Sequence, residues 1–139
     1  MKRILAILSF PALFFSCSDT KAPQGDSAGK LDSLFSSYWE ERLQLFPLEA
    51  TGIGDNRYND KLTITIAQSF RDSLVRFYKR YEDLATNIDT AGLSPDRKIS
   101  RSLFLHEMKM NLEGLKHPTH LMPITQFWSF TLELPQLGS

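Results

Sequence analysis

The chain has 139 residues, with sixteen basic and sixteen acidic side chains and therefore no formal net charge. No basic stripe is present to follow a phosphate backbone, which excludes nucleic acid as a partner. A single cysteine excludes an internal disulfide.

Residues 1–16 have the three parts of a secretory signal peptide: basic Lys2 and Arg3, an apolar run Ile4–Phe15, and small Ser16 before Cys17. The apolar run is shorter than the roughly 20 residues a membrane-spanning helix needs. Phe14-Phe15-Ser16-Cys17 resembles a bacterial lipoprotein box. Lipidation would make Cys17 the mature N-terminus and join the protein to a bilayer, placing it in the cell envelope on the periplasmic or extracellular face. The alternative is an unmodified thiol beside an ordinary cleavage site. Loss of Lys2 and Arg3 with the signal leaves fourteen basic against sixteen acidic groups. Residues 17–30 are polar, carry Gly, Pro and Ala, and read as a flexible tether.

From Leu31 the pattern becomes helical. Leu31, Leu34, Phe35, Tyr38, Trp39, Arg42, Leu43 and Phe46 recur in steps of three and four. Pro47 ends that helix, and Gly52, Gly54, Asp55, Asn56 and Asn59 supply turn chemistry, with the glycines free to take positive φ. Ile66, Phe70, Leu74, Phe77, Tyr81 and Leu84 predict a second helix over 65–84, with Asp72 and Arg76 spaced to pair. After a loop at 87–93, Ser94 as N-cap and Pro95 in the first turn open a third helix over 95–115. Its apolar residues fall on two sides, Ile99, Leu103, His106 and Met110 against Phe104, Leu105, Met108, Leu112 and Leu115. That predicts a helix sandwiched between layers. Pro118, Pro123 and Pro135 divide the aromatic segment at the end of the chain, where Thr125–Leu134 is a candidate short strand.

Two blocks carry a resemblance. YWEERLQLFPLEATGIGDNRYND, at 38–60, and HLMPITQFWSFTLELPQL, at 120–137, resemble the DUF885 family of bacterial secreted and lipid-anchored proteins. The resemblance runs from Leu31 to Leu137. It implies that 31–139 is the N-terminal, mainly α part of a larger, mostly helical domain, ending in an irregular or strand-like aromatic segment. It also implies that the whole protein is a zinc-dependent, peptidase-like hydrolase acting on peptides. The HExxPGHH motif that marks this chemistry is not in this sequence, so the piece itself is expected to be non-catalytic and to hold no cofactor. The alternative is a stand-alone lipoprotein that binds a peptide or partner.

Other short motifs invite different chemistry. His106-Glu107-Met108-Lys109-Met110 has Met where a zincin helix needs its second His, so His106 reads as a buried structural histidine. His117 and His120 are too few for a metal without a third donor; His117 is placed to meet the negative end of the third helix. Gly52-Ile53-Gly54 is not a phosphate loop, and no GxSxG elbow is present. In the polar patch Asp55–Asp60, Arg57 beside Tyr58 is the candidate for holding a substrate carboxylate. The alternative is that Arg57 pairs with Asp55 or Asp60 and stiffens the turn. Phe127, Trp128 and Phe130 either line a groove or pack against further helices.

Overall fold

A computed structural model describes residues 26–122, together with Ile124 and Ser129. The described residues are mainly helical: α1 (Asp26–Leu45), α2 (Pro47–Gly52), α3 (Gln68–Thr86) and α4 (Pro95–Gly114), with single 3-10 turns at Asn56–Tyr58 and Thr119–Leu121. Ile124 and Ser129 form one antiparallel bridge. The rest of the candidate strand Thr125–Leu134, the expected signal peptide at 1–16, Cys17 and the aromatic residues Phe127, Trp128 and Phe130 lie outside the described residues.

The first helix begins at Asp26, so the expected tether is corrected over 26–30. Asp26 places negative charge in the first turn, where the helix dipole favours it, and pairs with Lys30 one turn on. Ala28 is only 2% exposed, because its small side chain belongs to the core. Leu31, Leu34, Tyr38 and Leu43 are buried as their spacing predicts, whereas Trp39 is largely exposed.

The break before Pro47 is real, but residues 47–52 are helical, and the turn chemistry is confined to the residues after them. Phe46 sits outside helical geometry at φ −122°, and Pro47 then opens α2, since a proline near the first helical position forfeits no hydrogen bond that the helix would have made. Among the two turn glycines, only Gly54 takes a positive φ, 83°.

On α3 the buried residues are Leu74, Phe77, Tyr78, Tyr81 and Ala85. Ile66 precedes the helix, and Leu84 is 49% exposed. The buried face is therefore rotated toward Tyr78 and Ala85. Asp72 accepts from Gln68 and Arg76 donates to Ser73, in place of the expected Asp72–Arg76 pair.

Ser94 caps α4 by accepting from the Arg97 N–H at 3.4 Å. The sandwich expectation for this helix is corrected among the described residues. Phe104 and Met108 are buried, but Ile99, Leu103 and Met110 are 66, 65 and 58% exposed, and His106 is exposed with them. The expectation of a buried histidine is overturned for the same reason: only the Phe104/Met108 side of the helix meets the described core.

Reciprocal arginines fix the helix directions. Arg101, early in α4, donates from Nε to the Ala85 carbonyl and from Nη2 to that of Thr86, both at 2.8 Å. Arg71, early in α3, donates to the Leu115 carbonyl at 2.6 Å. Each start thus satisfies the open carbonyls at the other's end, so α3 and α4 are antiparallel. The ion pair Asp32–Arg97 and the hydrogen bond from Tyr38 to Glu107 run α1 parallel to α4. The Glu41–Arg80 ion pair and the Phe46–Phe70 ring contact run it antiparallel to α3.

The Tyr38 ring is the junction of the three long helices. It stacks on Phe77 at 5.3 Å and meets Tyr81 and Phe104 edge-on at 5.2 and 4.9 Å. Such ring pairs add to simple burial.

Two outcomes test this packing. Met108→Ala, at 0% exposure, is expected to cost about 2–5 kcal/mol in urea unfolding; Leu103→Ala should stay within about 1 kcal/mol. Equal losses would mean the α4 faces are assigned wrongly. Burial, with a smaller contribution from Glu41, pushes the Tyr81 phenol from 10.0 up to about 12. Between those values the unfolded chain loses this proton and the folded chain keeps it, so stability is full below the window and falls as pH rises through it. Tyr81→Phe should show a shallower loss in alkaline unfolding, and an unchanged slope would exclude Tyr81 as its source.

Candidate functional site

The polar side of the Tyr38 junction leads to a groove. The Tyr38 hydroxyl donates to Glu107 Oε1 at 3.2 Å and accepts from Arg42 Nη1 at 3.4 Å. Arg42 then grips Glu49 of α2 bidentately, Nε to Oε1 and Nη2 to Oε2, each at 3.0 Å. Its guanidinium carbon lies 5.1 Å from the centre of the Phe46 ring. Burial opposes the charge on Arg42, yet the hydrogen bonds to Glu49 and Tyr38 outweigh it and hold the guanidinium above its usual range. Burial, then the nearby Glu107 charge, raise the Tyr38 phenol well above the ordinary tyrosine value. A planar fork on a half-buried carboxylate sets the angle between α1 and α2.

Beside this network lies a groove of about 830 Å³. Phe46, Pro47, Leu48 and Glu49 form one wall, Leu62–Ile66 a second, and Arg71, Thr119, His120 and Met122 close the far side. Leu62, Ile64, Ile66 and Met122 are all more than half exposed. The Thr63 hydroxyl donates to the Leu45 carbonyl at 3.1 Å, pinning the second wall to the end of α1. Nδ1 of His120 is buried without a hydrogen-bond partner. A second depression of about 710 Å³, between α1 and α3, is lined by Glu41, Lys61, Arg76 and Arg80, and there Glu41 is paired with Arg80.

The two residues expected to bind substrate stand elsewhere. Arg57 and Tyr58 are in the 3-10 turn, and neither lines the groove. All three guanidinium nitrogens of Arg57 are held by carboxylates: Nε and Nη2 by Asp55, Nη1 and Nη2 by Glu40. Asp55 also accepts from the Arg57 backbone N–H at 3.1 Å. These contacts hold the Asp55 carboxyl below its usual range, the Arg57 side chain contributing most. Tyr58 lies between two cations, with Arg57 5.4 Å and Lys61 5.1 Å from its ring centre. This is the turn-stiffening alternative, with Glu40 as a partner beside Asp55.

Among the described residues no three His, Cys, Asp or Glu side chains gather where they could hold a metal. His106 is on an exposed helix face, one turn from Met110, whose thioether is a poor zinc ligand.

No family model, curated protein or solved structure matches the chain.

Sequence reading missed the Arg42–Glu49 fork, although a signal was present. Arg42 occupies a slot in an otherwise apolar stripe, and a charge there requires a partner. Arg42→Ala is expected to cost about 1–3 kcal/mol, because Glu49 and Tyr38 lose their shared donor. Lysine at 42 should recover little of it, having no fork. Full rescue by Arg42→Lys in chemical unfolding would show that charge alone suffices.

Proposed function

We propose that this chain forms a substrate-facing helical wall in a lipid-anchored, DUF885-type protein, whose peptidase-like hydrolysis uses zinc ligands from an HExxPGHH segment. The observation that carries the reading is a convergence. Phe46–Glu49 belongs to one block of the resemblance, and His120 and Met122 belong to the other, about seventy residues later. Both line the same groove. In this reading Cys17 carries the acyl anchor, residues 18–25 give the domain reach from the bilayer, and the groove receives peptide. The groove by itself also serves a second reading, in which a lipoprotein holds a peptide or protein partner and catalyses nothing.

The test is to follow the encoding gene beyond Ser139 and express its whole product. An in-frame HExxPGHH and zinc-dependent peptide hydrolysis are expected. A stop codon with no such motif would sink the enzyme reading and leave the binding one. In the same host, Cys17→Ala should move the protein from the membrane fraction to the soluble one, or block its processing. A processed variant still at the membrane would end the lipid-anchor reading.

A further inference from the structure

The groove's second wall has an unusual backbone. Lys61–Ile64 belongs to no helix, strand or turn. Among the described residues, the backbone N–H groups of Leu62, Thr63 and Ile64 have no hydrogen-bond partner, while those of Lys61 and Ala67 on either side donate to Tyr58 and Ile64. The sequence Leu-Thr-Ile-Thr-Ile favours pleated backbone, because β-branched side chains restrict the chain to it. The Thr63 side chain is tied to α1, and its neighbours Leu62 and Ile64 are 66 and 69% exposed on the groove. Open donors flanked by apolar residues are what a sheet edge offers to an added strand.

Charge is also unmatched there. Arg71 lines the groove and spends one donor on the Leu115 carbonyl. Among the described residues it has no carboxylate partner. The nearby carboxylate, Glu49, is already held bidentately by Arg42. A cation in an apolar cleft selects an anionic group on whatever enters.

We propose that Lys61–Ile64 pairs with an extended apolar peptide by strand addition, with the peptide's C-terminal carboxylate directed to Arg71. The inference rests on the peptide-binding reading and deepens it by naming the ligand and its direction; it requires no hydrolysis. Leu62, Ile64 and Met122 would take alternate side chains of the guest, and the N–H groups of Leu62 and Ile64, which share one edge of an extended chain, would pair with its carbonyls.

The test uses the full chain and a fluorescein-labelled hexapeptide of alternating Val and Thr with a free C-terminal carboxylate, followed by fluorescence anisotropy. Three comparison peptides are the C-terminal amide, the same sequence N-methylated at alternate residues, and a scrambled hexapeptide of Gly and Ser. The free acid is expected to bind about tenfold more tightly than the amide, a gap of one charge-assisted contact. Arg71→Gln should remove that gap, so that acid and amide bind alike to the variant; a tenfold gap that persists would overturn the contact to Arg71. N-methylation should abolish binding for both forms. Ile64→Pro, which deletes one open donor, should weaken every peptide, and circular dichroism of each variant checks that the helices persist. Equal binding of parent and N-methylated peptides would overturn strand addition while leaving a peptide groove. Failure of every peptide, with the helices intact, would overturn both.

Discussion

Tyr38 is the constraint on which the rest depends. Its ring must pack among Phe77, Tyr81 and Phe104 from two other helices, while its hydroxyl must find partners in a place where water is scarce. A buried hydroxyl left unpaired costs on the order of 1–3 kcal/mol, so the polar end dictates its neighbours as strictly as the apolar end does. Glu107 accepts from it and Arg42 donates to it, and Arg42 in turn needs Glu49. One phenol thereby ties α4 to α1, and α1 to the short helix α2. Because α2 carries Pro47, Leu48 and Glu49, the wall of the groove is placed by a contact at the centre of the aromatic core.

The far side of the groove depends on the α3–α4 hairpin in a comparable way. Arg71 reaches across to the carbonyl of Leu115, so the side chain that supplies charge to the groove also closes the end of α4. Open carbonyls at a helix end concentrate negative potential, and a guanidinium there is stabilised by the helix as well as by the hydrogen bond. Arg101 makes the matching closure at the opposite end of the hairpin. The two arginines resist sliding of one helix along the other, because a shift of one turn would leave both sets of carbonyls unpaired. His120 and Met122 leave this hairpin just after Leu115, and so their distance from Phe46 is set by it.

Much of the fold was legible because burial follows a 3.6-residue period. Leu31, Leu34, Tyr38, Leu74, Phe77 and Tyr81 sit in the core as spacing requires, and the Ser94–Pro95 start of α4 is where cap chemistry puts it. Periodicity failed where more than one apolar face was available. On α3 Leu84 is exposed while Tyr78 and Ala85 are buried, so the buried face is turned away from Leu84. On α4 the Ile99/Leu103/Met110 side is as apolar as the Phe104/Met108 side, and only tertiary contact distinguishes them. Composition misled at 26–30, where Ala28 and an Asp26–Lys30 pair support a helix in a stretch that reads as polar linker. The groove was not legible at all, because its walls come from segments joined only by the fold.

The polar strip 52–60 is the last element to find its place. Its residue types suggested ligand binding, yet Arg57 is already held by Asp55 within the strip and by Glu40 of α1, and the Thr51 hydroxyl donates to Asn59 Oδ1 at 2.8 Å. Exposed pairs of this kind add little stability individually. Their consequence is geometric. With Gly54 at positive φ and Asp55 accepting from the Arg57 backbone, the chain turns tightly after α2 and delivers Lys61 to the end of α1, where Thr63 is anchored on Leu45. A helix continuing through this region would have carried Leu62, Ile64 and Ile66 around an axis and spread them over separate faces. The ion-paired turn instead leaves them as one non-helical row beside Phe46 and Leu48. The charged half of the block shapes the backbone, and the apolar residues on either side of it form the surface that a ligand would meet.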